Sequence, residues 1–167
     1  PDPNPVVGGK GFDELRAHGI AVEVGVLAEE ARRLNRAFTI VQTEGRPMVI
    51  AKAATSIDSK IAAAPGMRTQ LTSAEANRRT QRLRGAVDAI AIGSGTLLAD
   101  DPVLTVRDCS RLRPLSRVVF DRRLRTPSTA RLLTTLAHGP VIIVTTAAAV
   151  SRYPERARVL TAAGATI

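Results

Sequence analysis

Short apolar runs with strand-like spacing alternate along this chain with stretches of helical periodicity, and that alternation restricts the fold more than any other feature. PVIIVTT, residues 140–146, is a continuous apolar run of the kind a sheet buries on both faces. VDAIAIG (87–93), SRVVFD (116–121) and PMVIAKAATS (47–56) read as further strands, and ATI (165–167) as the opening of another. Between them, Thr72-Ser73-Ala74-Glu75 forms a capping-box string, with Thr72 as N-cap and Glu75 reaching back. The helix it opens runs through EANRRTQRLRG to Gly85. GTLLADD (95–101) reads as a short helix stopped by Pro102, and residues 151–164 as helical after Pro154. Strands and helices in this order predict an α/β fold on a mainly parallel sheet with flanking helices.

The first forty residues follow a different rule. GFDELRAH (11–18) reads as a helix closed by Gly19, and IAVEVGV (20–26) as a strand. AEEARRLNRAF (28–38) reads as one amphipathic helix with Ala31, Leu34, Ala37 and Phe38 on a face. Gly45 and Pro47 then punctuate the chain, and the charge changes sign nearby. Residues 1–50 hold six basic and seven acidic groups, 51–100 seven and four, and 101–167 eleven and four. A domain boundary is expected at about 40–46. The chain opens on PDPNP without a methionine, and the expectation is a piece of a longer polypeptide.

Composition narrows the chemistry. Apolar residues at 44% and charged residues at 23% are globular proportions, and no run approaches eighteen apolar residues. No secretory signal pattern is present at the start. Cys109 is the sole cysteine, and His18 and His138 have no ligand spacing, so no disulfide and no metal site are expected from this chain. One cysteine suggests a reducing, cytoplasmic setting. The net charge of +9 suits a phosphorylated client. Aromatics at 2% disfavour single-stranded nucleic acid, which stacks its bases on such rings.

Local strings leave alternatives open. Gly93-Ser94-Gly95-Thr96 after a strand could admit a ligand to the backbone, yet Leu98 stands where a dinucleotide fingerprint needs its third glycine. An ordinary tight turn explains it equally well. Asp100 and Asp101 before Pro102 can work as acid and base, or simply end a helix. Lys52 inside an apolar run is either a site lysine or one that snorkels from an edge. Arg78, Arg79, Arg82 and Arg84 crowd one helix as a solvated face would, and Arg107 could fork onto a phosphate.

Taken together, PMVIAKAATSIDSKIA, LTSAEANRRTQRLR and VDAIAIGSGTLLADDPVLTVR resemble the reductase domain of the bifunctional deaminase–reductase of riboflavin biosynthesis. RVVFDRRLRTP and ARLL agree, and residues before 44 resemble the end of that enzyme's deaminase domain. The resemblance implies a deaminase remnant and linker helix at 1–44, from a cytidine-deaminase-like α/β domain. It implies the first part of a dihydrofolate-reductase-like domain at 45–167. It implies NADPH-dependent reduction of 5-amino-6-(5-phosphoribosylamino)uracil to the ribitylamino product, with zinc serving only the deaminase part, whose His-x-Glu and Pro-Cys-x-x-Cys strings are not in this chain. Lys52 then matches the catalytic lysine near the sugar carbon. Arg68, Thr72, Arg84, Leu104 and Arg107 match substrate positions, and Ala54, Gln70, Thr96 and Asp100 cofactor positions. The resemblance further implies a homo-oligomer with no membrane or nucleic-acid partner. This sequence departs from the family at Ser59, where Gly is usual, and at Arg68 and Gln70, where Ser and Trp are common. The family's later Glu-Gly-Gly string is not present before Ile167. Those departures keep a catalytically impaired homologue, and a basic phosphate- or nucleic-acid-binding module, as alternatives.

Overall fold

The computed structural model describes residues 2–64, 67, 69–107 and 110–167, so the expectations for Arg68 and Cys109 lie outside the described residues. It divides into two compact units, Pro1–Lys52 and Ala53–Ile167.

The first unit is helical: α1 Lys10–Ala17, α2 Ala28–Leu34 and α3 Arg36–Glu44. Gly19, at φ 74°, ends α1 as expected, its amide bonded to the Arg16 carbonyl at 3.0 Å. The single helix expected over 28–38 is instead two. Asn35 turns its Nδ2 back onto the Ala31 carbonyl at 2.9 Å, the local competition that makes asparagine a poor helix interior. Residues 20–26 are not a strand, and neither are 47–56. Alternating apolar residues make a strand only where a neighbour takes up the backbone hydrogen bonds. No such neighbour is present among the described residues, and Val26, Val49 and Ile50 stand exposed.

The second unit carries the α/β architecture that the sequence predicts. Its elements are α4 Ala74–Ala86, β1 Ala89–Gly93, α5 Ser94–Asp100, β2 Ser116–Phe120, a 3-10 turn at Leu133–His138, β3 Val141–Val144, α6 Ala147–Arg152, α7 Pro154–Ala162 and β4 Ala165–Thr166. The four strands are parallel in the order β1-β2-β3-β4, with Ala91 beside Val118, Val118 beside Ile142 and Val141 beside Ala165. The N-cap of α4 is Ser73, one residue later than expected: its Oγ accepts from the Ala76 amide at 3.2 Å, while the Thr72 hydroxyl donates to Asn77 Oδ1. Thr146 caps α6 in the same way.

The core lies on one face of the sheet, where Val119, Val141 and Ile143 meet Leu97, Leu124, Leu132 and Leu160. The run at 140–146 is therefore not buried on both faces. Val141 and Ile143 point inward, and Val144 is 42% exposed. Arg117 belongs to the same inner face and is fully buried. It donates to the carbonyls of Val103, Leu132, Thr135 and Gly139 and to Thr135 Oγ1, tying β2 to the segments before and after it. At Asp58-Ser59 the turn forms without glycine: Ser59 takes φ 61°, its amide bonded to the Ser56 carbonyl at 3.0 Å. No helix is long and apolar enough to cross a membrane among the described residues.

Candidate functional site

Open α/β sheets gather ligands outside the carboxyl ends of their strands. At the end of β1, Ser94 is buried and its Oγ accepts from Arg125 Nη2 at 2.9 Å, which joins the loops after β1 and β2. Thr96 is exposed in the first turn of α5, and Asp100 lies half-buried on the same face one turn on. Asp101 ends α5 at φ 39°, its Oδ1 accepting from the Arg131 amide at 2.9 Å. The following loop bends again into the left-handed region at Leu104, φ 56°, and plants that side chain in the interior.

Here α4 meets the loop. Gln81 Oε1 accepts from the Arg107 amide at 3.0 Å, and Arg84 Nη1 donates to the Thr105 carbonyl at 3.4 Å. Arg84 and Arg107, far apart in sequence, thereby come to one place. Burial pushes the Arg84 guanidinium below its usual range, and the charge of Arg107 lowers it further. Neither forms an ion pair among the described residues, and Arg84 Nε is buried with no partner there. Two guanidinia gathered in this way offer a divalent anion what a planar fork provides best.

The remaining expected residues fall elsewhere. Thr72 and Gln70 lie together ahead of α4, Gln70 Nε2 donating to the Thr72 carbonyl at 3.4 Å. Ten residues of helix put that end about 15 Å from Arg84. Ala54 is half-buried just ahead of the Ser59 turn, and Lys52 is exposed at the end of the first unit.

Three residues have roles that their local sequence does not announce. Gln81 sits in a run of arginines that reads as a solvated face, yet it is 9% exposed. Arg111 donates to the carbonyls of Arg84, Gly85 and Val87 and closes the end of α4. Thr145, following β3, has a buried Oγ1 without a partner among the described residues. It lines a cavity of about 560 Å³ with Thr146, Val150 and Thr161. For Thr145 a signal was legible: hydroxyls directly after an apolar parallel strand fall at the ligand-binding edge.

Residues 47–167, which include this whole arrangement, match the family described as the RibD C-terminal domain. The chain belongs to that family. It is 39% identical over 144 residues to the riboflavin biosynthesis protein RibD of Aquifex aeolicus, covering 86% of this chain and 40% of that protein. It is 39% identical over 163 residues to the RibD of Bacillus amyloliquefaciens, covering 98% and 43%. Two solved structures resemble it. Acinetobacter baumannii RibD is 34% identical with a TM-score of 0.77, over 96% of this chain and 44% of that one. A diaminohydroxyphosphoribosylaminopyrimidine deaminase/5-amino-6-(5-phosphoribosylamino)uracil reductase from Thermotoga maritima is 35% identical with a TM-score of 0.78, over 86% and 40%. The chain thus spans about two fifths of the length of these RibD relatives.

Proposed function

We propose that this chain supplies the reductase part of a riboflavin-biosynthesis enzyme that reduces 5-amino-6-(5-phosphoribosylamino)uracil to its ribitylamino product. The convergence of Arg84 and Arg107 in a RibD C-terminal domain carries this reading. The substrate phosphate sits between the two guanidinia, over the buried Leu104, and the pyrimidine extends toward Thr72. Residues 1–44 are the end of a deaminase domain whose zinc ligands lie outside this chain, and 45–167 the first part of the reductase.

NADPH fits the carboxyl edge of the sheet. What supports this is the Thr145 hydroxyl, buried without a partner among the described residues and lining an open cavity of about 560 Å³. Thr96, Asp100, Ala54 and Gln70, with Thr145, are the residues that hold it. When bound it supplies a hydride to C1 of the ring-opened sugar imine, leaving as NADP⁺. Lys52 delivers the matching proton to the imine nitrogen, so that the C=N bond becomes a secondary amine. The arginines and the helix end hold the sugar still, and most of the acceleration comes from that positioning. A cytoplasmic homo-oligomer is the expected setting, consistent with a single cysteine.

The test is NADPH oxidation by the full-length protein with this substrate. Lys52→Ala lowers kcat by about 100-fold or more, the usual worth of a general acid. Arg107→Ala raises KM by about tenfold with kcat kept, the worth of one exposed charge-assisted hydrogen bond. A full-length protein that leaves NADPH untouched in the presence of the substrate overturns the proposal.

A further inference from the structure

Two guanidinia repel, so the neighbourhood of Arg84 and Arg107 needs a cause beyond themselves. The loop that delivers Arg107 is anchored ahead of it, at the Asp101 carboxylate, the Val103 carbonyl and the buried Leu104, contacts that stop short of Arg107 itself. It enters the left-handed region at Asp101 and Leu104, neither of them glycine, so its path is not the one the backbone prefers. Among the described residues, two hydrogen bonds of unequal quality hold it against α4. The Arg84 to Thr105 contact is long, at 3.4 Å, and spends the guanidinium itself. The Gln81 to Arg107 contact is 3.0 Å, comes from a side chain 9% exposed, and engages the Arg107 backbone amide. It therefore fixes where Arg107 starts without using its guanidinium, which has no bond among the described residues and can turn onto an anion. Gln81 lies three residues before Arg84, on the same side of α4. Arg111 pins the carbonyls at the end of that helix, so Gln81 and Arg84 share one rigid platform.

We infer that Gln81 is a positioning residue for the phosphate subsite, setting the separation of Arg84 and Arg107 through the Arg107 amide. The inference rests on the reductase reading and deepens it. It predicts that Gln81 governs the binding of phosphorylated substrate without touching it.

The experiment is a double-mutant cycle in the full-length protein, read as KM and kcat with the phosphoribosylaminouracil. Gln81→Met, which keeps volume and removes the acceptor, raises KM about tenfold and leaves kcat within about twofold. Because Gln81 acts through Arg107, adding Gln81→Met to Arg107→Ala changes KM no further. If Gln81→Met fails to fold, Gln81→Asn keeps the amide one methylene short and raises KM about threefold. An unchanged KM in a folded Gln81 variant, with Arg107→Ala still raising it, overturns the inference alone. Independent, multiplicative effects in the double variant overturn it too. If neither Arg84→Ala nor Arg107→Ala moves KM, the phosphate reading fails and takes the positioning role with it.

Discussion

Arg117 offers the sharpest test of how the second unit is held together. Its guanidinium is fully buried on the core face of β2, has no carboxylate partner among the described residues, and feeds four backbone carbonyls and the Thr135 hydroxyl. Burial lowers its pKa, which measures how hard the interior resists the charge. Arg117→Met removes that penalty but takes a donor from each acceptor. The Gly139 carbonyl belongs to a buried residue and costs about 1.5 kcal/mol when left without a donor. The Leu132 carbonyl keeps the Thr135 hydroxyl at 3.0 Å, and those of Val103 and Thr135 are half-buried and reach some water, so about 0.5 kcal/mol each is appropriate. The expected loss is about 3 kcal/mol, a large share of the 5 to 15 kcal/mol that holds an ordinary domain. In urea unfolding followed by circular dichroism, that lowers the midpoint by about 1.5 M for a slope near 2 kcal/mol per molar. Arg117→Lys, with one charge and fewer directions, falls between. A methionine variant within about 1 kcal/mol of the parent refutes the reasoning, because the desolvation of the guanidinium would then outweigh everything it satisfies.

Ser59 sits at φ 61°, where a side chain is strained by about 1 kcal/mol or more, so Ser59→Gly raises stability by roughly 0.5 to 1 kcal/mol after glycine's own entropy is counted. A lowered melting temperature contradicts that. Gly139 combines φ 140° and ψ 167°, a region nearly reserved for glycine, with space so tight that an added Cβ would lie 2.2 Å from the Leu115 carbonyl oxygen. Gly139→Ala therefore costs about 3 kcal/mol or more in the same urea experiment, and a neutral result refutes the close approach. The Arg84 shift also fixes a pH profile. A base whose folded pKa is lowered bears its penalty at every pH below that value and sheds it only as pH rises through it, and arginine stays charged throughout the working range. Binding of ribose 5-phosphate, followed by calorimetry, is thus flat between about pH 7 and 9 and weakens below about pH 6 as the phosphate takes up its second proton. A decline between 7 and 9 shows the arginines titrating.

The second unit was legible in the sequence because its strands carry their own signal. VDAIAIG, SRVVFD and PVIIVTT pair with one another inside the unit, so their short apolar runs are enough. IAVEVGV and PMVIAKAATS carry runs of the same kind and form no strand, since hydrogen-bond partners are supplied by tertiary neighbours and not by local pattern. The shift of the α4 cap from Thr72 to Ser73 has a similar origin: both are good caps, and the choice was made when Thr72 turned to Asn77.

For the site, the amino-acid order by itself determined the chemical kinds: a basic second half, a small-residue turn after β1, and arginines at 84 and 107 flanking an aspartate-proline stop. It also carried the strings that resemble one family. Only the tertiary structure decided which arginines do what, because helix position and loop path, both long-range properties, turn like residues to unlike uses. Arg84 and Arg107 gather at one point, Arg111 closes a helix, and Arg117 disappears into the core. Gln81 reads as one more polar residue on a solvated face until the loop 26 residues later closes over it and its amide oxygen finds a backbone N–H to hold.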